Sequence, residues 1–268
     1  ELKGRFPDIL DSPVYGASAR ELYKHAQELL GRLVHERRLT ARAVYGFWPA
    51  NSDGDDIIVW ADDARKDELT RFHMLRQQEP KADAKPNRSL ADFVAPVSSL
   101  VPDYIGAFAV TAGIGVDAVV KEFEKKHDDY GAILTKALAD RLAEAFAEFL
   151  HKQAREDWGY GKGETLNNDQ LIDEAYRGIR PAPGYPACPD HLVKRDVFRV
   201  LQAEDIGMGL TEGMAMTPAA SVSGFYFAHP ESSYFNVGRI GDDQVADWAA
   251  RMALDQNAAR KALAPLLG

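Results

Sequence analysis

Asp103-Tyr-Ile-Gly-Ala-Phe-Ala-Val-Thr-Ala-Gly-Ile-Gly115 is the stretch on which the fold class turns. Ile105, Ala107, Phe108, Ala109 and Val110 read as a buried strand over residues 103–113. Thr111-Ala-Gly-Ile-Gly115 then leads towards a helix. A doubly wound nucleotide-binding sheet places its phosphate turn at such a junction. Here the third glycine of a dinucleotide fingerprint is missing, as is the lysine of a triphosphate loop. The junction reads as an ordinary strand-to-helix turn.

Upstream, residues 18–36 carry Ala19, Leu22, Ala26, Leu29, Leu30 and Leu33 at helical spacing. Ser18 and Glu21 have the spacing of a capping box. Residues 41–50 and 56–61 read as strands joined at the turn Asn51-Ser-Asp-Gly54. Asp53, Asp55 and Asp56 lack the distant bidentate Glu of a calcium loop, so they read as a solvated turn. Residues 70–76 read as a third strand and 77–89 as a polar surface loop. Downstream come a helix over 116–127 and a long one over 130–157. Ile133, Leu134, Ala137, Leu138, Leu142, Ala145, Phe146, Phe149 and Leu150 form the apolar stripe of the long helix. Its alanines, among them Ala139, Ala143 and Ala147, allow close packing. Glu144 and Glu148 lie one turn apart and read as its wet face. Residues 167–176 form a short helix and 190–201 another. Strands follow over 211–216, 221–228 and 234–240, then helices over 242–252 and 256–267. Helices and strands do not alternate strictly. The expected class is α+β: a twisted, mostly antiparallel sheet flanked by helices, with one long central helix.

The chain has 268 residues, 46% hydrophobic and 27% charged, enough for one large core. A formal charge of −9 argues against nucleic acid as the main partner. No apolar run approaches a membrane span. The first residues, Glu1 to Arg5, do not resemble a signal peptide, and the absence of an initiator methionine suggests a fragment of a longer chain. One cysteine, Cys188, excludes an internal disulfide and suits a reducing, cytoplasmic compartment. Cys188 and His191 have no second pair to complete a zinc site, and His127-Asp-Asp129 has no evident partners. No Gly-x-Ser-x-Gly elbow is present.

Arg177-Gly-Ile-Arg-Pro-Ala-Pro-Gly-Tyr-Pro-Ala-Cys-Pro-Asp-His191 cannot form a regular helix or strand. Pro181, Pro183, Pro186 and Pro189 each remove a donor and fix φ, while Gly178 and Gly184 supply turns. A stiff, extended segment with outward carbonyls is expected. It would lose little entropy on binding a ligand. Arg180 at its entrance can grip a carboxylate with a two-pronged hydrogen bond.

Arg180 to Pro189 resembles the S-adenosylmethionine-binding loop of the activation domain of cobalamin-dependent methionine synthases. The resemblance extends, in family order, through Gly46-Phe-Trp-Pro-Ala50, Leu75-Arg-Gln-Gln78, Leu90-Ala-Asp-Phe-Val-Ala-Pro96 and Asp103 to Thr111. It continues through Lys136 to Phe146, Trp158-Gly-Tyr160, Leu210-Thr-Glu212, Ser221-Val-Ser-Gly224 and His229-Pro230. It implies one activation domain over 1–268 that presents S-adenosylmethionine to cob(II)alamin for reductive methylation. The implied partners are the cobalamin-binding domain of the same enzyme and a reductase such as flavodoxin, with cobalamin and zinc held in other domains. Arg180 would bind the ligand's carboxylate, and backbone around Ala182, Gly184 and Tyr185 its adenosine. Tyr234 and Phe235 match the family's paired aromatic positions, with Phe235 where relatives carry a second tyrosine. Glu144 and Glu174 are the candidate carboxylates for balancing the sulfonium. The family also uses an aspartate upstream of the stretch aligned with Leu2 to Pro7, so weakened ligand binding is expected of this chain. The alternatives are a protein-docking or corrinoid-capping module without a small ligand, and a self-contained S-adenosylmethionine methyltransferase. The latter is disfavoured by the missing glycine-rich turn.

Overall fold

The computed structural model describes residues 5–81 and 86–267. The first four residues and part of the 77–89 loop, read above, lie outside the described residues. In chain order the helices and strands are α1 (Gly16–His35), β1 (Thr40–Asp53), β2 (Asp56–Trp60), β3 (Glu68–His73), β4 (Asp103–Ile114), α2 (Val116–Glu124) and α3 (Asp129–Trp158). Then follow α4 (Asn168–Ile172), α5 (Lys194–Leu201), β5 (Gly209–Leu210), β6 (Met216–Thr217), β7 (Ser221–Tyr226), α6 (Asp242–Arg251) and α7 (Gln256–Ala262). Five strands form one sheet in the order β3-β2-β1-β4-β7, and every pairing is antiparallel. The α+β expectation holds. β5 and β6 pair separately.

From Ile105 to Gly113 β4 is buried and, but for Thr111, carries no polar side chain, because both of its faces are covered there. Ile105, Ala107 and Ala109 point into a core shared with Val193, Val197, Phe198 and Leu201 around α5. Phe108 and Val110 point the other way, onto Ala147, Leu150 and Ala154 of α3. The strand runs to Ile114, and Gly115, at φ +97, turns the chain directly into α2. A smaller cluster of Val237, Val245, Trp248, Ala259 and Leu263 holds α6 and α7 together.

Several expectations are corrected. α1 begins at Gly16 with Tyr15 as its cap, so Ser18 sits inside the helix and makes no capping box. On the apolar stripe of α1 Leu29 and Leu33 are buried, while Leu22 stays 40% exposed. The first hairpin turns at Gly54-Asp55, and Asn51 and Ser52 are buried in β1. There the Asn51 amide donates to the carbonyls of Ala95 and Val101, each at 3.0 Å. The acidic turn is no solvated cluster. Asp53 and Asp56 pair with Arg71, Asp56 also with Arg251, and Asp55 with Arg76. Residues 234–240 form no strand but an irregular segment. α3 buries a different face from its large-residue stripe. Ala139, Ala143 and Ala147 are buried, while Ile133 and Phe149 are more than 60% exposed. The small side chains let the helix lie close on α2 and the sheet; Leu134, Leu138 and Phe146 pack only at its flank.

Candidate functional site

The proline loop is not a solvated, outward-facing segment. Its first part adds to the free edge of β7. Ile179 and Phe227 exchange backbone hydrogen bonds at 3.0 and 3.1 Å, and the Phe225 N–H donates to the Pro181 carbonyl at 3.0 Å. Proline suits this place, because an edge residue whose carbonyl is used needs no N–H. Gly224 makes the approach feasible, since a Cβ there would lie 2.5 Å from the Pro181 oxygen. The loop then reverses at its tip. The Tyr185 N–H donates to the Ala182 carbonyl, and the Gly184 N–H to that of Cys188 at 2.7 Å. Gly184 has φ +94 and any side chain on it would collide with the His191 imidazole. The Val237 N–H donates to the Pro186 carbonyl at 2.9 Å, which draws the segment bearing Tyr234 and Phe235 against the loop.

A cavity of about 440 Å³ opens between this loop, α3, β7 and residues 234–235. That lies within the roughly 300–1,000 Å³ of small-molecule sites. Arg180, Ala182, Tyr185, Tyr234, Phe235 and Glu144, six of the eight candidates, line it. Gly184 does not; it shapes the loop's tip. Glu174 does not either, and instead stands 3.6 Å from the Arg180 guanidinium. Pro181, Pro186, Ala147 and Val222 complete much of the apolar wall. Tyr185 is 64% exposed at the rim.

Arg180 is held from three sides. Its backbone N–H donates to the Tyr234 hydroxyl at 3.1 Å. One guanidinium nitrogen donates to the Tyr176 hydroxyl. The other forms an ion pair with Glu148 Oε2 at 2.6 Å. Burial works against the guanidinium's charge, but Tyr176, Glu148, Tyr234 and Glu174 outweigh it, and its pKa stands above the ordinary value. Burial pushes the Tyr176 and Tyr234 hydroxyls up, so both stay protonated at neutral pH. Glu144 points elsewhere and pairs with Arg141 at 3.0 Å on the helix surface.

Glu148 is thus the carboxylate nearest Arg180, although the sequence reading put it on the wet face. Its spacing from Glu144 was visible; that the loop would fold back against this turn of α3 was not. Tyr176 was also missed, because it lies beyond the end of α4 and meets Arg180 only through the fold. Cys188 is buried and its thiol pKa is pushed up by that burial, away from thiolate chemistry. Among the described residues no group of His, Cys, Asp and Glu is arranged to hold a metal ion, and no helix is long and apolar enough to cross a membrane.

The family model described as "Vitamin B12 dependent methionine synthase, activation domain" matches residues 1–253. The crystal structure of the MetH reactivation domain bound to AdoHcy is 50% identical in sequence and superposes with a TM-score of 0.96. That match covers 100% of this chain and 82% of the other.

Proposed function

We propose, from the premise that this chain belongs to the family of vitamin B12-dependent methionine synthase activation domains, that its cavity binds S-adenosylmethionine and presents it to cob(II)alamin in the same enzyme. The observation that carries the reading is one cavity in which a fixed arginine, a stiff loop and an aromatic pair converge. S-adenosylmethionine offers a carboxylate, an amine, a sulfonium and an adenosine. The relative's bound AdoHcy shares all of these except the positive sulfur, which supports the reading.

Arg180 supplies the donor for the carboxylate, with its guanidinium charge secured by Glu148 and Glu174. The loop around Ala182, Gly184 and Tyr185 offers backbone groups and an apolar surface to the adenosine. Tyr234 and Phe235 close the other side, and Tyr234 also fixes the Arg180 backbone. Glu144 is the lining carboxylate available to face the sulfonium once its surface pairing with Arg141 loosens. When bound, the ligand supplies an electrophilic methyl group. With cobalamin held by the neighbouring domain and an electron from a flavodoxin-type reductase, that methyl would be available for transfer, and the ligand would leave as the neutral thioether. The protein's part is to bind, orient and keep water from the donor.

The carried methyl restores an enzyme that already possesses its turnover machinery elsewhere. Arg180→Ala in the whole enzyme is therefore expected to abolish reactivation of the cob(II)alamin form while turnover of methylated enzyme persists. Single-turnover reactivation assays beside steady-state turnover check this. Parallel loss of both activities would contradict the division of labour. A docking or capping module without a ligand would show neither ligand binding nor dependence on Arg180.

A further inference from the structure

Behind Arg180, away from the cavity, α3 carries Glu148, His151 and Arg155 on one face. His151 and Arg155 are fully buried. The His151 ring stacks on Tyr226 of β7 at 4.8 Å and 5°, and Tyr226 stacks on Phe108 at 4.7 Å. Tyr176 stands edge-on to the other side of His151, at 4.9 Å and 87°. Arg155 lies 3.8 Å above the Tyr176 ring and is clamped by Glu164 at 2.8 Å. Tyr176 in turn receives a hydrogen bond from Arg180. An unbroken column therefore runs from the sheet, through His151, to the guanidinium.

This column is short of hydrogen bonds. Glu148 Oε1, both His151 nitrogens, Arg155 Nη1 and the Tyr160 and Tyr226 hydroxyls have no partner within the protein. Among the described residues, only Trp248 Nε1 shares that condition elsewhere. A buried polar atom left without a partner is strongly unfavourable, and an apolar residue of similar shape would avoid it. Neutral imidazole holds one N–H donor and one acceptor lone pair. It thus complements an acceptor-only carboxylate oxygen one turn before it and a donor-only guanidinium one turn after. Ordered water, which takes such places in protein interiors, bridges groups of this kind.

We propose that Glu148 and His151 are positioning residues for Arg180, their unpartnered polar atoms tied together by ordered water between α3, β7 and Tyr176. Glu148 sets the direction of the guanidinium. His151 wedges Tyr176 in place and completes the hydrogen bonding of Glu148 and Arg155. The inference rests on the reading that Arg180 receives the ligand's carboxylate. It adds that affinity for that carboxylate, and not for the adenosine, depends on a layer that never touches the ligand.

Calorimetry with two probes separates these ends of the ligand: AdoHcy, which has the α-amino acid, and 5′-methylthioadenosine, which lacks it. Glu148→Gln and His151→Phe are each expected to weaken AdoHcy by about tenfold, the size of one lost charged interaction. Binding of 5′-methylthioadenosine should be unchanged. His151→Gln, which keeps a donor and an acceptor, should recover most of the loss. Equal weakening of both probes, or no change in either, overturns the positioning role. If the unaltered protein binds neither probe, the reading of the cavity fails and the inference with it. A measurement without substitution guards against misfolded variants. In the unaltered protein the ¹⁵N resonances of His151 should show one neutral tautomer with a slowly exchanging N–H. Rapid averaging of two tautomers would overturn the proposal.

Discussion

The proline loop and the inner face of α3 meet at Arg180 and hold it by different means. The loop fixes the backbone through covalent geometry: four proline rings, two turning glycines and pairing to the edge of β7. The helix fixes the side chain through charge and burial, with Glu148 and the stacked His151 column behind it. Placement of the residue is therefore a local matter, and aim of its guanidinium a long-range one. A ligand site built this way should respond differently to damage on its two sides.

The largest effect is expected where the two sides meet. Arg180→Ala removes the cation proposed to receive the ligand's carboxylate and also leaves Glu148 and Glu174 unopposed. The single lost interaction is worth roughly 1.5–3 kcal/mol, about ten- to a hundredfold in affinity, and the exposed carboxylates add to it. Loss of binding with a lowered melting temperature but a cooperative unfolding transition is the expected result, read by calorimetry and thermal denaturation together.

Overpacking sharpens the contrast on the helix side. Ala143 is fully buried on the inner face of α3, whereas Ile133 on the same helix is 67% exposed. Ala143→Leu should destabilise the fold by about 1–3 kcal/mol in urea denaturation. Ile133→Ser should shift stability by no more than about 0.5 kcal/mol. The opposite ranking would restore the large-residue stripe as the core face.

A third test uses pH. Burial, then the charges of Arg155 and Arg180, hold the His151 pKa well below its ordinary value. Tyr176 and Tyr226 pack against it, and Glu148 lies one turn before it on α3. In the unfolded chain this histidine takes up a proton near pH 6.5, while the folded protein keeps it neutral. The unfolded state then binds more protons, so stability falls as pH drops below about 6.5. Between pH 7.5 and 5.5 the unaltered protein should lose about 1.4 kcal/mol more than His151→Phe. Parallel pH curves would show that His151 is protonated within the fold.

The smallest effect tests the loop side. Tyr234→Phe removes one neutral hydrogen bond, to the Arg180 N–H, while keeping the ring. A loss of about 0.5–1.5 kcal/mol in ligand affinity is expected. A loss as large as that of Arg180→Ala would mean that the hydroxyl itself meets the ligand.

The same contrast explains what could be read from the chain before folding. The loop, with Arg180 at its entrance and Tyr185 at its tip, stood out because proline and glycine declare their geometry locally; Tyr234 and Phe235 were marked only by the family resemblance. The antiparallel character followed from the order of apolar runs. Glu148, His151 and Tyr176 did not stand out. Their roles arise because β7 carries Tyr226 beneath α3 and the loop returns over the same turn. The face of α3 was misjudged for a related reason. Side-chain size suggested burial of Ile133 and Phe149, yet close approach to the sheet favoured Ala139, Ala143 and Ala147. The wrongly assigned strand at residues 234–240 had strand-like aromatics, but its pairing partner is the Pro186 carbonyl of the loop.

Isothermal calorimetry of S-adenosylmethionine with the unaltered chain and with Arg180→Ala tests the central claim most directly. One-site binding that disappears in the variant is the predicted result. Equal affinities in the two proteins would contradict it and move the ligand away from the proline loop.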